Sequence, residues 1–163
     1  MADLQQNLTA YRAMLQKGTV QAAYLGLMQY LMSLRTFFQN RHPDLAVSGF
    51  YQGYMDMSYF ACFPVALKER KLKIAVVFVH ETFRFEVWLS GVNKQVMAEY
   101  WQQIKQSGWN KYHLVADTQK ADSILECVVA ADPDFSDLNA LTALIEKGTL
   151  QFIRDVETFL ASN

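Results

Sequence analysis

The signatures of common enzyme chemistry are missing from this chain of 163 residues. It contains no P-loop, no GxGxxG, no HExxH, no GxSxG and no CxxC pair. Each of these motifs serves a defined chemistry, such as phosphate cradling, dinucleotide binding, zinc ligation or acyl transfer through serine. Their absence argues against nucleotide-dependent, zinc-dependent and serine-hydrolase classes, and no cofactor is expected.

Strong charge and long apolar runs are lacking as well. The chain has 15 basic and 16 acidic side chains, so its net charge of −1 gives no field that would attract nucleic acid or an anionic membrane. No apolar stretch approaches the ~18 residues that cross a bilayer, and the start MADLQQNLTAYR lacks a basic segment followed by an apolar one. We expect a cytoplasmic protein whose partners are a small molecule or another protein, with its oligomeric state left open.

Nucleophilic and metal-ligating side chains are few. The two cysteines, Cys62 and Cys127, lie inside apolar runs, where a buried free thiol is more usual than a disulfide or a nucleophile. We therefore expect both to be reduced and largely buried. The three histidines, His42, His80 and His113, lie on different elements without the close spacing of a ligand pair. No metal site is expected.

The composition that remains is that of a folded protein. Hydrophobic residues make up 52% of the chain, aromatic residues 13% and charged residues 19%, which is the balance of a globular protein with a core. A chain of this length most often makes one domain, so residues 1–163 are taken as a single domain.

The stretch Lys71 to Gly91 predicts a β-hairpin at the centre of the fold. It reads KLKIAVVFVHETFRFEVWLSG, two apolar runs around a short polar turn. With Glu81 and Thr82 as the turn residues, Phe78 faces Phe85 on one side of the sheet, and that side is apolar. The opposite side carries Val77 with Glu86, Ala75 with Trp88, and Val79 with Arg84. A slip of one residue would exchange the two faces.

Two helices are predicted before this hairpin and two after it. Apolar residues spaced by three or four indicate helices over residues 3–16 and 20–40, packed as an antiparallel pair around a stop at Gly18. The aromatic and methionine side chains of the second helix, Tyr24 and Tyr30 among them, are taken as core rather than as a cofactor slot. A later helix ends at Gly108. The last helix starts after a cap at Asp134 or Ser136 and is expected to kink or break near Gly148.

The strands predict an α+β fold. Residues 46–63 alternate with period two, and either Gln52-Gly53 turns a hairpin there or Gly53 marks a bulge in one long strand. Residues 64–70 form a short helical connection, and residues 112–116 and 124–131 close the sheet as an antiparallel pair. The expected fold is an antiparallel sheet of about five or six strands with an N-terminal helical pair and two later helices.

Five runs of the sequence resemble the landmarks of a known family. They are residues 54–60 (YMDMSYF), 70–74 (RKLKI), 80–89 (HETFRFEVWL), 109–112 (WNKY) and 132–138 (DPDFSDL). Together they are similar to a family of small uncharacterised bacterial proteins known as a domain of unknown function, over nearly the whole chain. The resemblance implies a bacterial, stand-alone, soluble protein, and it implies no activity, cofactor or catalytic residue.

A polar and aromatic face of the hairpin is the candidate site. One side of the predicted hairpin carries Arg84, Glu86 and Trp88. Asp56 joins them if the strand of residues 54–63 lies alongside, with Tyr54 nearby. Ionisable groups on central strands are unfavourable unless they are paired or used. We expect Arg84 to anchor an anionic ligand, with Trp88 and Tyr54 as the apolar wall. A structural ion pair or a solvent-facing strip would explain the same residues.

An enzyme is the alternative to a binding protein. A hydrolase or transferase would use Asp56 or Glu86 together with His80 or His113. Geometry separates the two hypotheses, because the enzyme requires a carboxylate and a histidine within hydrogen-bond reach in a concave pocket.

Overall fold

The computed structural model of the chain describes residues 3–163. In that range the chain forms five helices and six strands. In order they are α1 (Leu4–Leu15), α2 (Thr19–Arg41), β1 (Ala46–Val47), β2 (Met57–Phe63), α3 (Val65–Glu69), β3 (Leu72–Val79), β4 (Arg84–Gly91), α4 (Lys94–Ser107), β5 (His113–Leu114), β6 (Leu125–Ala130) and α5 (Leu138–Ala161).

All strands belong to one antiparallel sheet with the order β1-β2-β3-β4-β6-β5. The central hairpin β3–β4 occupies the middle of this sheet. The predicted α+β class, the N-terminal helical pair and the strand number are therefore confirmed. Over residues 3–163, no helix combines the length and the apolar character needed to cross a bilayer.

The hairpin β3–β4 has the predicted register. Phe78 pairs with Phe85, Val77 with Glu86, and Val79 with Arg84. The connection closes through Phe83, whose φ of 53° is in the left-handed region. Each strand therefore turns one row of side chains to an inner face, packed against helices, and the other row to an outer face.

Residues 46–63 form a hairpin rather than one long strand. Ala46 pairs with Phe63, and Tyr51 bridges to Tyr59. Gly53 is needed in the connection because its φ is 72° and a Cβ atom there would lie 2.0 Å from the carbonyl oxygen of Met57. A hairpin therefore forms, but the chain reverses at residues 54–56 rather than at Gln52-Gly53, so the predicted position of the turn is wrong.

The core fills the space between the inner face and the helices α2 and α5. Phe60, Phe78 and Phe85 on the sheet are fully buried. The Phe38 ring of α2 meets the Phe60 ring with centroids 5.6 Å apart, and the Tyr30 ring of the same helix meets Phe85 at 6.0 Å. Burial of one such side chain stabilises the fold by roughly 1.5–3 kcal/mol.

Helix α5 runs through Gly148 without interruption, so the predicted break is wrong. A Cβ atom at Gly148 would lie 2.6 Å from Cγ1 of Val129 and 2.9 Å from its Cβ. The glycine therefore permits close contact between α5 and β6 instead of stopping the helix. Thr149 is fully buried and donates to the carbonyl of Ile145, four residues earlier, rather than capping a new helix. The N-terminal cap is Asp137, not Asp134 or Ser136.

Helix α1 forms as predicted but contributes no buried residue. Its apolar stripe, Leu4, Leu8, Tyr11 and Met14, is exposed. The physical reason is that α2 uses its own stripe to pack on the sheet, through Leu31, Leu34 and Phe38, so that α1 lies outside the core.

Both cysteines are free thiols. Cys62 is fully buried on β2 as expected, whereas Cys127 is only partly buried. The difference follows from position, since β6 lies near the sheet edge and β5 pairs only with its first two residues.

Candidate functional site

An apolar groove of about 720 Å³ lies at the turn end of the central hairpin. Three parts of the chain form it: the first half of α2, the connections around the two hairpins, and the segment leading into α5. Its lining includes Ala23, Tyr24 and Leu27 from α2, Met55, His80 and Phe83 from the hairpin connections, and Phe135 and Leu138 beside α5. We call this feature the groove.

Small residues on α2 make room for the groove, and aromatic residues form the walls of the groove. Ala22, Ala23 and Gly26 are exposed along one side of α2, and an added Cβ at Gly26 would meet nothing within 4 Å. On the opposite side the Phe135 ring packs edge-on against Tyr30 at 5.8 Å and lies 6.3 Å from Phe83. The groove is therefore framed by rings that hold one another in place.

His80 is a polar group of the groove, and its tautomer is set by Ser58. The Nε2 atom of His80 lies 2.8 Å from the Ser58 hydroxyl oxygen. The Ser58 hydroxyl donates its only hydrogen to the carbonyl oxygen of Gln52. Because Ser58 has no second hydrogen to give, Nε2 of His80 must be the donor and carry the proton.

The other ring nitrogen of His80 is an open acceptor. Within residues 3–163, Nδ1 has no hydrogen-bond partner, whereas every buried polar side-chain atom has one. Nδ1 is therefore not buried and is accessible to solvent. Burial lowers the pKa of His80 below its ordinary value of 6.5, and the charge of Asp56 opposes this shift only in part. The ring is thus neutral at pH 7, with an acceptor lone pair on Nδ1.

Two tyrosines add hydroxyl groups at the α2 side of the groove. Tyr30 shares a hydrogen bond of 3.0 Å with Thr142 of α5, and burial raises its pKa above the ordinary value. Tyr24 accepts from the side-chain amide of Gln52 at 3.2 Å. The Tyr30 hydroxyl is therefore neutral and bound to Thr142, and the Tyr24 hydroxyl oxygen already accepts from Gln52.

The predicted cluster of Arg84, Glu86 and Trp88 is present on the outer face. Arg84 Nε donates to Glu86 Oε2 at 3.0 Å, and Trp88 Nε1 donates to Glu86 Oε1 at 3.1 Å. Glu86 is 4% exposed, so the carboxylate is nearly buried with both oxygens engaged. The Glu86 carboxylate therefore binds both the guanidinium group of Arg84 and the indole of Trp88.

Asp56 and Tyr54 do not join this cluster. Among residues 3–163, Arg84 forms an ion pair with Glu86 alone. Asp56 accepts from its own loop, at the backbone N–H of Tyr54 (2.9 Å), and this contact lowers the pKa of Asp56. Met55, with φ of 63°, bends the chain just before β2, which keeps the carboxylate in the turn. The Tyr54 side chain is 90% exposed and walls nothing.

The histidines do not pair with the carboxylates that the enzyme alternative requires. His80 hydrogen-bonds to Ser58, and His113 is exposed on β5 opposite Glu126. His42 does contact a carboxylate, with Nε2 2.7 Å from Glu146 Oε1. Over the described residues 3–163, no cluster of three histidine, cysteine or acidic side chains has the geometry to hold a metal ion.

Sequence reasoning missed the groove. The apolar spacing of α2 predicts a core position for Tyr24, but the residue is only partly buried and lines the groove. The signal that could have found it is the run of small residues Ala22, Ala23 and Gly26 on the same helix, because a helix packed tightly on a core usually presents larger side chains there.

Comparison with known proteins identifies a family for this chain. A family described as a domain of unknown function, DUF7000, matches residues 4–160, which confirms the expected resemblance over nearly the whole chain. No curated protein and no solved structure matches the chain.

Proposed function

The chain belongs to the DUF7000 family, a domain of unknown function, and from the geometry of the groove we propose that this protein binds a small, mostly apolar, uncharged molecule. One polar group of that molecule donates a hydrogen bond to Nδ1 of His80. The observation that carries the proposal is a neutral imidazole of defined tautomer, with a free acceptor, in a mostly apolar groove.

The size and lining of the groove support a small-molecule ligand. Ligand pockets commonly measure roughly 300–1,000 Å³ and combine apolar walls with a few polar groups that fix orientation. The groove, at about 720 Å³, falls in this range. Each methylene group buried against its aromatic walls contributes about 0.8 kcal/mol.

The chemistry of His80 supports an uncharged ligand with a donor group. A hydroxyl group can donate to the Nδ1 lone pair, whereas a carboxylate would place its own lone pairs against it. A charged ligand would also lose hydration without a compensating charge, because the imidazole is neutral and Tyr30 is protonated. The proposed class is therefore alcohols or phenols with an apolar body, not fatty acids.

The same geometry favours binding over hydrolysis or group transfer. Ser58 is fully buried and gives its hydrogen to Gln52, so it is not a nucleophile poised beside His80. Neither Asp56 nor Glu86 hydrogen-bonds to a histidine. The proposal keeps the expected class of function, ligand binding, and moves its site from the outer face of the hairpin to the turn end of the same hairpin.

We also propose a cellular location and a class of partner for this protein. We place the protein in the cytoplasm of a bacterium, and the two free thiols support a reducing compartment. A small molecule is the proposed partner. Nucleic acid is not, since the net charge is −1.

Calorimetric titration with 1-octanol and octanoate tests the proposal, because the two probes share an apolar chain and differ in the polar group. We expect 1-octanol to bind saturably at neutral pH and octanoate to bind at least about tenfold more weakly, a difference of about 1.4 kcal/mol. In Ala23→Phe the new ring fills the groove, and binding should be lost. Ala13→Phe, at another exposed alanine, on α1, is the matched control and should bind as the wild type does.

Two results would contradict the proposal. Equal affinity for the alcohol and the carboxylate would remove His80 as the selecting group. Binding of 1-octanol that survives Ala23→Phe unchanged would show that the groove is not where the probe sits.

A further inference from the structure

The outer face of the sheet carries a second concavity, of about 230 Å³. It lies on the side of the sheet opposite α2 and α5, with Trp88 at one end, Ala75 as its floor and Tyr59 at its side. No residue lines both this concavity and the groove. We call it the slot.

Small residues beside Trp88 open the slot. Ala75 lines the slot and is the cross-strand partner of Trp88; Ala61 continues the same row on the next strand but is buried and does not line the slot. On the same face of the sheet, the next row of side chains on either side lies two residues away along each strand, a distance of about 6.6 Å. A planar ring needs contacts of about 3.5–4.0 Å to each neighbour, so the alanine row is wide enough for one ring beside Trp88.

The Trp88 side chain is held in a fixed orientation at the slot. Its Nε1–H is bound by Glu86, and the second oxygen of Glu86 is bound by Arg84. A nearly buried carboxylate on a central strand is unfavourable unless its oxygens are satisfied. Here one oxygen accepts from the indole and the other from Arg84, which holds the carboxylate in place, so Arg84 acts as a positioning residue through Glu86.

The rim of the slot carries an unpaired cation. Lys73 lies next to Ser90 on the neighbouring strand and forms no ion pair within residues 3–163. Lys94, also at the rim, is engaged by the carbonyl oxygens of Thr118 and Ala121. One carboxylate, Asp122, lies at the rim as well. Lys73 is therefore the cation that remains available to a ligand.

We propose that the slot binds a planar aromatic or heteroaromatic molecule with one anionic group, the ring against Trp88 and the anion at Lys73. Stacking of a ring on an oriented indole and an ammonium group for the anion are complementary contacts. The anion therefore meets Lys73, while Arg84 holds the wall that the ring contacts. This site shares no lining residue with the groove, and its ligand is anionic whereas the ligand of the groove is uncharged.

Nuclear magnetic resonance of the three tryptophan indole N–H groups tests the proposal. Titration with indole-3-acetate should move the Trp88 signal saturably. Trp101, bonded to the Val115 carbonyl, and Trp109, stacked on Phe159, should not move. Lys73→Met should weaken indole-3-acetate at least about tenfold and leave the affinity for uncharged indole within about twofold.

Matched variants keep the test decisive. Lys17→Met, at the exposed end of α1, should bind both probes as the wild type does. Tyr59→Ala should weaken both probes, since it removes the side wall and not the cation. The proposal is overturned if neither probe moves Trp88 saturably, or if Lys73→Met weakens indole and indole-3-acetate equally.

Discussion

The Nε2 atom of His80 lies 2.8 Å from the hydroxyl oxygen of Ser58, and this contact decides which ring nitrogen is free. The Ser58 hydroxyl donates its hydrogen to the carbonyl oxygen of Gln52, so it can only accept a hydrogen bond from the imidazole. Nε2 of His80 therefore carries the proton, and the acceptor lone pair of the ring is on Nδ1. In the proposed function, a buried serine that does not line the groove therefore determines which ligand group His80 can accept.

The first prediction concerns pH. Because burial lowers the pKa of His80 in the folded protein, the unfolded chain takes up this proton first as the pH falls. The contribution of His80 to stability is therefore fully present above pH 6.5, the ordinary value, and is lost as the pH falls through the folded pKa. Urea unfolding from about pH 7.5 to about pH 5 measures the change.

His80→Gln is the control for this pH dependence, since an amide can still donate to Ser58 and does not titrate. The difference in unfolding free energy between the wild type and His80→Gln should shrink as the pH falls. A difference that stays constant over this range would contradict the lowered pKa.

The second prediction concerns the helix glycines. Gly148→Ala should destabilise the protein by about 1–3 kcal/mol, because the added methyl group overlaps Val129, even though alanine favours helix by about 1 kcal/mol. Gly26→Ala in α2 is the matched control, and with open space at Cβ it should stabilise by up to about 1 kcal/mol. Thermal and urea unfolding measure both. Stabilisation by Gly148→Ala would mean that α5 and β6 are not in close contact.

The third prediction concerns Arg84. Arg84→Met leaves Glu86 nearly buried with Trp88 as its remaining side-chain donor, and we expect a loss of about 1–3 kcal/mol, less than for a fully buried pair because the arginine is 37% exposed. The indole N–H resonance of Trp88 should shift before any probe is added, while those of Trp101 and Trp109 stay in place. An unchanged Trp88 signal would show that Arg84 does not orient the indole.

The fourth prediction separates the two cysteines. Burial raises the pKa of the Cys62 thiol to about 12, whereas Cys127 is partly exposed and its pKa is raised by burial and by the nearby charge of Glu86. A thiol reagent at mildly alkaline pH should label Cys127 in the folded protein and reach Cys62 only after unfolding. Cys127→Ser should remove the native-state labelling. Labelling that persists in that variant would place Cys62 at the surface.

The parts of the fold that depend on neighbouring residues in the chain were predictable. The β3–β4 register follows from alternation around a turn centred on Glu81 and Thr82, so Phe78 opposite Phe85 could be derived from the sequence. The clustering of Arg84, Glu86 and Trp88 follows from the same alternation. These features require no knowledge of where the helices pack.

The parts that depend on distant packing were not predictable. Gly148 resembles a helix stop until Val129 is brought against it from another element. The groove needs Tyr24, His80 and Phe135 to converge from three separate segments. Asp56 was expected on the strand beside Arg84, but a left-handed turn at Met55 keeps it in the loop. Each of these outcomes is decided by tertiary contacts that outweigh local preference.

The strand order has a consequence for how the chain folds. From β1 to β4 each strand pairs with the next one along the chain, and only the β4–β6 pairing spans α4 and β5. Closing a short loop loses less chain entropy than closing a long one, and folding is faster when contacts are local in sequence. The four-stranded meander can therefore assemble first, and β6 then docks on the exposed edge of β4. The slot draws on β3 and β4 and the groove on the connection between them, so both begin to take shape in the part of the sheet that can form earliest.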